Sequence, residues 1–199
     1  GAVAGHPAGS HRAEGRAGDP DRGRFNKWLA LTLAAILTLI VSGNLLIYYE
    51  QGNPKASVAP DVFVVDGAPR HDRRSYKLWE EPKAPDFALE ITSNSTVSED
   101  QGVKRGLYAF LGVQEYWQYD PTGDYLVPPL KGLQLVDGNY WPIPVRDGGD
   151  GTLIGASAVL GLELRVGNGQ LHLYDAGNAR ALLTYAELDR AHRAAEDRA

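Results

Sequence analysis

The stretch "PDFALEIT", residues 85–92, alternates and branches like a buried β-strand but carries a carboxylate, Glu90, near its centre. Burying a charge without a partner is strongly unfavourable, so a strand of this kind needs a compensating group. A bound cation would remove the cost. Glu90 is therefore a candidate oxygen ligand for a divalent metal ion, and the alternative is a core carboxylate paired with a lysine or arginine.

Two further polar residues stand at informative places. Asp61 opens a second strand-like run, "DVFVV", and Lys104 lies in a helix predicted over Glu99 to Leu111. If the two strands are neighbours, Asp61 and Glu90 could face each other at one end of the sheet and share a Mg²⁺ ion. Lys104 could then orient a water molecule or stabilise developing negative charge. Taken singly, Asp61 could be a turn residue and Lys104 a surface residue.

The order of predicted elements is strand, strand, strand, helix, strand and then hairpins. The strand-like segments before the hairpins are 45–50, 61–65, 86–92 and 115–119. The helix is predicted to carry Val103, Leu107 and Leu111 on one face and to end at Gly112, and Asn168-Gly169 indicates a hairpin turn. This order predicts a mixed α/β fold with one central sheet.

Composition sets limits on the function. The chain has 199 residues, of which 43% are hydrophobic, so one globular domain with tails is expected. Cysteine is absent, which excludes disulfides and a cysteine nucleophile, leaves oxygen or histidine as metal ligands, and is compatible with the cytoplasm. The net charge of -5 means that a nucleic-acid partner would require a local basic face. The candidates for such a face are Arg70, Arg73, Arg74 and Lys77, although a basic run of this kind can also be a solvated loop.

Both ends of the chain are distinct in composition. Residues 1–24 are predicted to be a disordered tail, and residues 181–199 a C-terminal helix that begins at a capping box. We expect the chain to be a fragment, because it lacks a starting methionine and ends inside that helix.

The segment over residues 28–49 contains no charged residue and follows several basic ones. It could be a membrane anchor that tethers the domain. The other interpretation is an apolar core helix over 25–42 followed by a strand, with the turn signal at Gly43-Asn44 between them. We favour the second, because only about 14 residues remain before the turn and these are too few to span a bilayer.

Several longer sequence motifs then indicate a family. "APDVFVV", "YKLWEE", "PDFALEIT" and "KRGLYAFLGVQEYWQYDP" closely resemble the bacterial Uma2 family of putative restriction endonucleases, a branch of the PD-(D/E)XK nuclease superfamily. The resemblance runs from about Gly43 to the end of the chain. It implies a restriction-endonuclease-like mixed β-sheet core flanked by helices, with C-terminal β-hairpins, in a domain over 43–180.

The resemblance also implies a site. Asp61 matches the Asp of the superfamily signature and Glu90 its Glu, whereas Lys104 matches a lysine displaced onto the helix, with Thr92 in its usual place. The backbone carbonyl of Ile91 would complete the metal shell. The implied function is a cytoplasmic endonuclease that requires Mg²⁺ or Mn²⁺ and acts on DNA, and a homodimer is a further possibility.

One departure from the family pattern supports an alternative function. Members usually have a helix of mixed polarity before the first strand, often with an acidic residue and a histidine, but "KWLALTLAAILTLIV" at residues 27–41 offers neither. The second hypothesis is therefore a catalytically impaired module with the nuclease fold, which binds nucleic acid or has a regulatory role.

Overall fold

The computed structural model describes residues 39–42, 45–69 and 73–182 of the chain. The predicted tail, the predicted C-terminal helix beyond residue 182 and most of the predicted apolar helix lie outside these ranges. Residues Leu39–Ser42 form a β-strand, so the predicted helix over 25–42 is wrong for its last four residues. Among the residues that the structure describes, no helix is long and apolar enough to cross a membrane.

The described residues form a mixed α/β fold with fourteen strands. In chain order they are β1 (Leu39–Ser42), β2 (Ile47–Tyr48), β3 (Ser57–Val58), β4 (Val62–Asp66), β5 (Tyr76–Lys77), β6 (Phe87–Ile91), β7 (Glu115–Tyr119), β8 (Leu130–Val136), β9 (Asn139–Ile143), β10 (Val145–Asp147), β11 (Leu153–Ser157), β12 (Leu162–Gly167), β13 (Gln170–Asp175) and β14 (Arg180–Ala181). One continuous helix consists of α1 (Val97–Glu99), a π-helical turn (Asp100–Lys104) and α2 (Arg105–Leu111). We call these three parts together the 97–111 helix.

The main sheet has six strands in the order β1-β4-β6-β7-β8-β9. Its central pair, β6 and β7, is parallel, and the 97–111 helix forms the crossover between them. The other neighbours are antiparallel. One face of this sheet packs against the 97–111 helix and a small three-stranded sheet, β3-β2-β5. We call it the helix face.

The opposite face of the main sheet packs against a second sheet, β10 to β14, which the sequence did not predict as a separate layer. The expected single central sheet is therefore incomplete, because the C-terminal hairpins pair with each other and stack on the main sheet. Trp117 fills the contact between the two layers. An added Cβ at Gly132 or at Gly155 would lie 2.6 Å from its ring, so both glycines are needed for the close approach.

Of the three apolar residues that the sequence places on one helix face, Leu107 and Leu111 pack partly buried against the core, whereas Val103 does not. Val103 is 72% exposed, whereas Asp100, Lys104 and Tyr108 are buried. These three polar residues follow one another at steps of four. Lys104 and Tyr108 pair with Glu90 beneath the helix, and Asp100 pairs with Lys104 on the helix itself. The end of the helix is as predicted, since Gly112 adopts a left-handed conformation with φ of 81°.

Candidate active site

Asp61 and Glu90 lie opposite each other on neighbouring strands. Val62 pairs with Leu89 in the antiparallel register of β4 and β6, and continuing that register by one residue places Asp61 across from Glu90. Directly opposed residues project to the same face of a sheet. Both side chains are buried, Asp61 at 4% exposure and Glu90 at 0%. The Asp61 carboxylate also accepts a hydrogen bond of 2.7 Å from the backbone N–H of Ile91, which fixes its position at the end of β6.

Lys104, on the helix that covers this face, contacts Glu90. Its Nζ atom lies 2.9 Å from Oε2 of Glu90 and 3.0 Å from Oδ1 of Asp100. The π-helical turn that contains both Asp100 and Lys104 directs them to the buried side of the helix. Such turns occur mostly as local interruptions of α-helices and are frequent at functional sites. The structure thus brings Asp61, Glu90 and Lys104 to one place.

Sequence reasoning missed two members of the cluster, Asp100 and Tyr108. The Tyr108 hydroxyl donates a 2.7 Å hydrogen bond to Oε1 of Glu90. Asp100 is fully buried, and its backbone carbonyl accepts a 2.8 Å bond from the Tyr116 hydroxyl. The spacing of Asp100, Lys104 and Tyr108 at four-residue steps places all three on one helix face, and this polar stripe was the available signal.

Burial and charge perturb the titration of the cluster. Burial raises the pKa of Glu90 to about 8, and the Asp61 and Asp100 carboxylates add to the rise, whereas Lys104 and the Tyr108 hydrogen bond oppose it. For Lys104, burial lowers the pKa, but the carboxylates of Glu90 and Asp100 outweigh burial and raise it above its ordinary value. The ammonium therefore stays charged at neutral pH, while the Glu90 carboxylate would be stabilised by additional positive charge.

The cluster fits a divalent ion that is only partly coordinated by protein. Among the described residues, no group of three or more histidine, cysteine and acidic side chains is arranged to hold a metal. Mg²⁺, however, is usually held by one or two carboxylates and completes its shell with waters and substrate phosphates. Two buried oxygens at the cluster, Oγ1 of Thr92 and Oδ2 of Asp100, have no hydrogen-bond partner within the described part of the chain. Waters around such an ion could satisfy them.

The predicted basic face divides into residues with different environments. The Arg73 guanidinium binds the Glu81 carboxylate through two bonds, of 2.6 and 2.9 Å, and its side chain is 5% exposed. Arg73 stays a predicted phosphate contact, although the Glu81 carboxylate already binds two of its donors. Lys77 pairs with Glu80 at 3.0 Å but stays partly exposed.

The other two candidates of that face differ again. Arg74 is exposed and stays a predicted phosphate contact, and Arg70 lies outside the described residues.

The fold is thus a mixed α/β sheet that carries two opposed carboxylates on neighbouring strands and a lysine on the overlying helix. The chain belongs to the Uma2 family, described as putative restriction endonuclease, whose model matches residues 12–167. This confirms the family that the sequence motifs indicated, but the matched range begins before the expected Gly43 and ends before the end of the chain.

The remaining comparisons are more distant. No curated protein matches the sequence. Among solved structures, the crystal structure of a putative nuclease belonging to DUF820 from Anabaena variabilis is similar, with a TM-score of 0.45 and 13% sequence identity, over 63% of this chain and 68% of that chain.

Proposed function

We propose that this protein is a metal-dependent endonuclease that hydrolyses phosphodiester bonds in DNA. Asp61, Glu90 and the backbone carbonyl of Ile91 would hold a Mg²⁺ or Mn²⁺ ion. One observation carries the proposal. The Lys104 ammonium lies 2.9 Å from Glu90, and Glu90 occupies the strand position that faces Asp61. Membership of a family described as putative restriction endonuclease supports the same class of activity.

When bound, the ion supplies charge neutralisation and Lewis-acid polarisation of the phosphodiester. Because the pKa of Lys104 is raised, its charged ammonium can donate hydrogen bonds but cannot accept a proton. Its role is therefore to orient the attacking water or to stabilise negative charge on the phosphate. In the overall reaction the water oxygen bonds to phosphorus and the ester P–O bond breaks. One water proton passes to the leaving oxygen and the other to the product phosphate or to solvent.

Asp100 and Tyr108 complete the arrangement as positioning residues. The Asp100 carboxylate lies 3.0 Å from the Lys104 ammonium and the Glu90 carboxylate 2.9 Å from it, so two acids hold the ammonium. Tyr108 donates to Oε1 of Glu90, while Lys104 approaches Oε2. Each oxygen of the Glu90 carboxylate is thereby fixed in orientation. Restraint by second contacts of this kind keeps catalytic groups within the narrow geometry that catalysis needs.

Cleavage of supercoiled plasmid DNA tests the proposal. The purified chain should nick or linearise plasmid with Mg²⁺ or Mn²⁺ and stop when EDTA is added. Asp61→Asn and Glu90→Gln should abolish cleavage while keeping the thermal unfolding profile cooperative. Glu163→Gln is the matched control, because Glu163 pairs with Arg165 on the second sheet, which packs on the opposite face.

The outcomes separate the two hypotheses. Cleavage that persists in Asp61→Asn and Glu90→Gln would exclude this site as the active centre. DNA binding without cleavage by the unaltered chain would favour the impaired binding module instead.

A further inference from the structure

Four polar side chains form a row across the main sheet at the level of the candidate active site. Glu90 pairs with Gln118 in the register of β6 and β7, and Gln118 pairs with Lys131 in the register of β7 and β8. Asp61 stands on the other side of Glu90. The row therefore runs Asp61, Glu90, Gln118, Lys131.

Core packing identifies the face to which this row belongs. On each strand, the residue two positions from the row member packs in the core on the helix face; these residues are Phe63, Ala88, Tyr116 and Leu133. The residues adjacent to the row pack in the opposite core; they are Val62, Leu89, Trp117 and Leu130. Because side chains alternate along a strand, all four members of the row project to the helix face.

Lys131 is placed to extend the site along a nucleic-acid backbone. Neighbouring strands lie about 4.8 Å apart, so the backbone of Lys131 is roughly 10 Å from that of Glu90 across two strands. Successive phosphates of one DNA strand rise by about 3.4 Å along the helix axis. The flexible four-carbon stem of a lysine could bring its ammonium to a phosphate one or two nucleotides from a phosphate at Glu90.

The local charges make a cation at this position useful. Lys131 is partly exposed and makes no ion pair within the described ranges. Its neighbour Gln118 is buried and uncharged, and donates to the Tyr116 hydroxyl at 3.2 Å. The cluster beyond Gln118 holds three acids and one lysine, so by itself it repels a polyanion. A positive charge at Lys131 would offset that repulsion for the part of the DNA strand that extends beyond the acidic cluster.

On the basis of the proposed function, we propose that Lys131 binds a DNA backbone phosphate in a subsite adjacent to the candidate active site, with Gln118 as the neutral spacer between subsite and acids. This subsite positions the strand and carries no base specificity, because a phosphate contact does not read sequence.

The test compares Lys131→Gln with Arg180→Gln and Lys131→Arg. Arg180 is an exposed cation on β14 of the second sheet, so its loss removes the same charge on the other side of the molecule. Binding of a short duplex is measured in EDTA between about 50 and about 200 mM salt, and cleavage kinetics are measured with Mg²⁺.

For Lys131→Gln we expect the slope of log affinity against log salt to fall in magnitude by about one. The KM for DNA should rise several-fold with little change in kcat, since the lost contact is uniform binding. Lys131→Arg should restore both values, and Arg180→Gln should resemble the unaltered chain.

Three results overturn the assignment. Unaltered slope and KM in Lys131→Gln would remove Lys131 from the interface while leaving the proposed nuclease intact. An equal effect in Arg180→Gln would show a general charge effect without a subsite. An unaltered chain that neither binds nor cleaves DNA would remove the proposed function and the subsite together.

Discussion

Replacing Asp100 by asparagine should slow the proposed cleavage without weakening DNA binding. The substitution keeps the size of the side chain and removes one of the two carboxylates that hold the Lys104 ammonium, at 3.0 Å from Asp100 and 2.9 Å from Glu90. A hydrogen bond to a charged group contributes about 1.5–3 kcal/mol. If that contribution is lost from the positioning of Lys104, kcat should fall about 10- to 100-fold, at one factor of ten for each 1.4 kcal/mol.

The assay separates a positioning role from a structural one. Single-turnover and steady-state cleavage of a defined duplex with Mg²⁺ give kcat and KM for the Asp100→Asn variant and for Glu163→Gln as the matched control. We expect KM and the Mg²⁺-induced rise in Tm to stay close to those of the unaltered chain, because Asp100 is not a proposed ligand. The free energy of unfolding should fall by about 1–3 kcal/mol, since Lys104 keeps its contact with Glu90.

Two outcomes would refute the reasoning. One is an Asp100→Asn variant that folds and keeps the kcat of the unaltered chain, which would mean that Glu90 alone suffices to place the ammonium. The other is a variant whose KM rises while kcat is constant, which would assign Asp100 to substrate binding.

Four other perturbations give measurable outcomes. Gly155→Ala should lower the free energy of unfolding in urea by about 1–3 kcal/mol, because the added carbon would lie 2.6 Å from the Trp117 ring. Gly106→Ala should instead raise the free energy of unfolding by about 0.5–1 kcal/mol, because Gly106 is helical and the added carbon would meet no atom of a neighbouring group within 4 Å. Burial raises the pKa of Glu90 to about 8, so below that pH a proton competes with the ion for the carboxylate. The Mg²⁺-induced rise in Tm should therefore grow from about pH 6.5 to about pH 8.5. In Glu90→Gln the rise should no longer depend on pH. Arg73→Ala should destabilise the fold by about 1–3 kcal/mol through loss of its internal ion pair, and a loss of DNA affinity would confirm Arg73 as a phosphate contact.

Glu90 could be predicted from the sequence because it violates a local pattern, and Asp61 became a candidate only in combination with it. Glu90 is a charge inside an apolar strand, and Asp61 opens another such strand. Asp100 taken singly violates no local pattern, since an acidic residue near the start of a helix is ordinary. Its only signal was the four-residue spacing from Lys104 and Tyr108. The burial of Asp100 depends on Lys104 and on Tyr116 of the strand beneath the helix. Both come next to Asp100 only when the chain folds.

The internal ion pair of Arg73 could not be predicted from the sequence for the same reason. A cluster of basic residues between strands looks the same in sequence whether its guanidinium groups face solvent or an internal carboxylate. The Glu81 carboxylate that occupies Arg73 is eight residues away and adopts its position only in the folded loop.

The amino-acid sequence alone determined the strand alternation around Glu90, the end of the helix at Gly112 and the hairpin turn at Asn168-Gly169, because each depends on backbone preferences of adjacent residues. Tertiary structure decided which strands pair, in which register, and that the C-terminal hairpins form a second layer. It also decided that Lys131 stands in the same row as Glu90. The physical reason is that register and burial are set by contacts between distant segments, and a shift of one residue would turn every side chain of a strand to the opposite face.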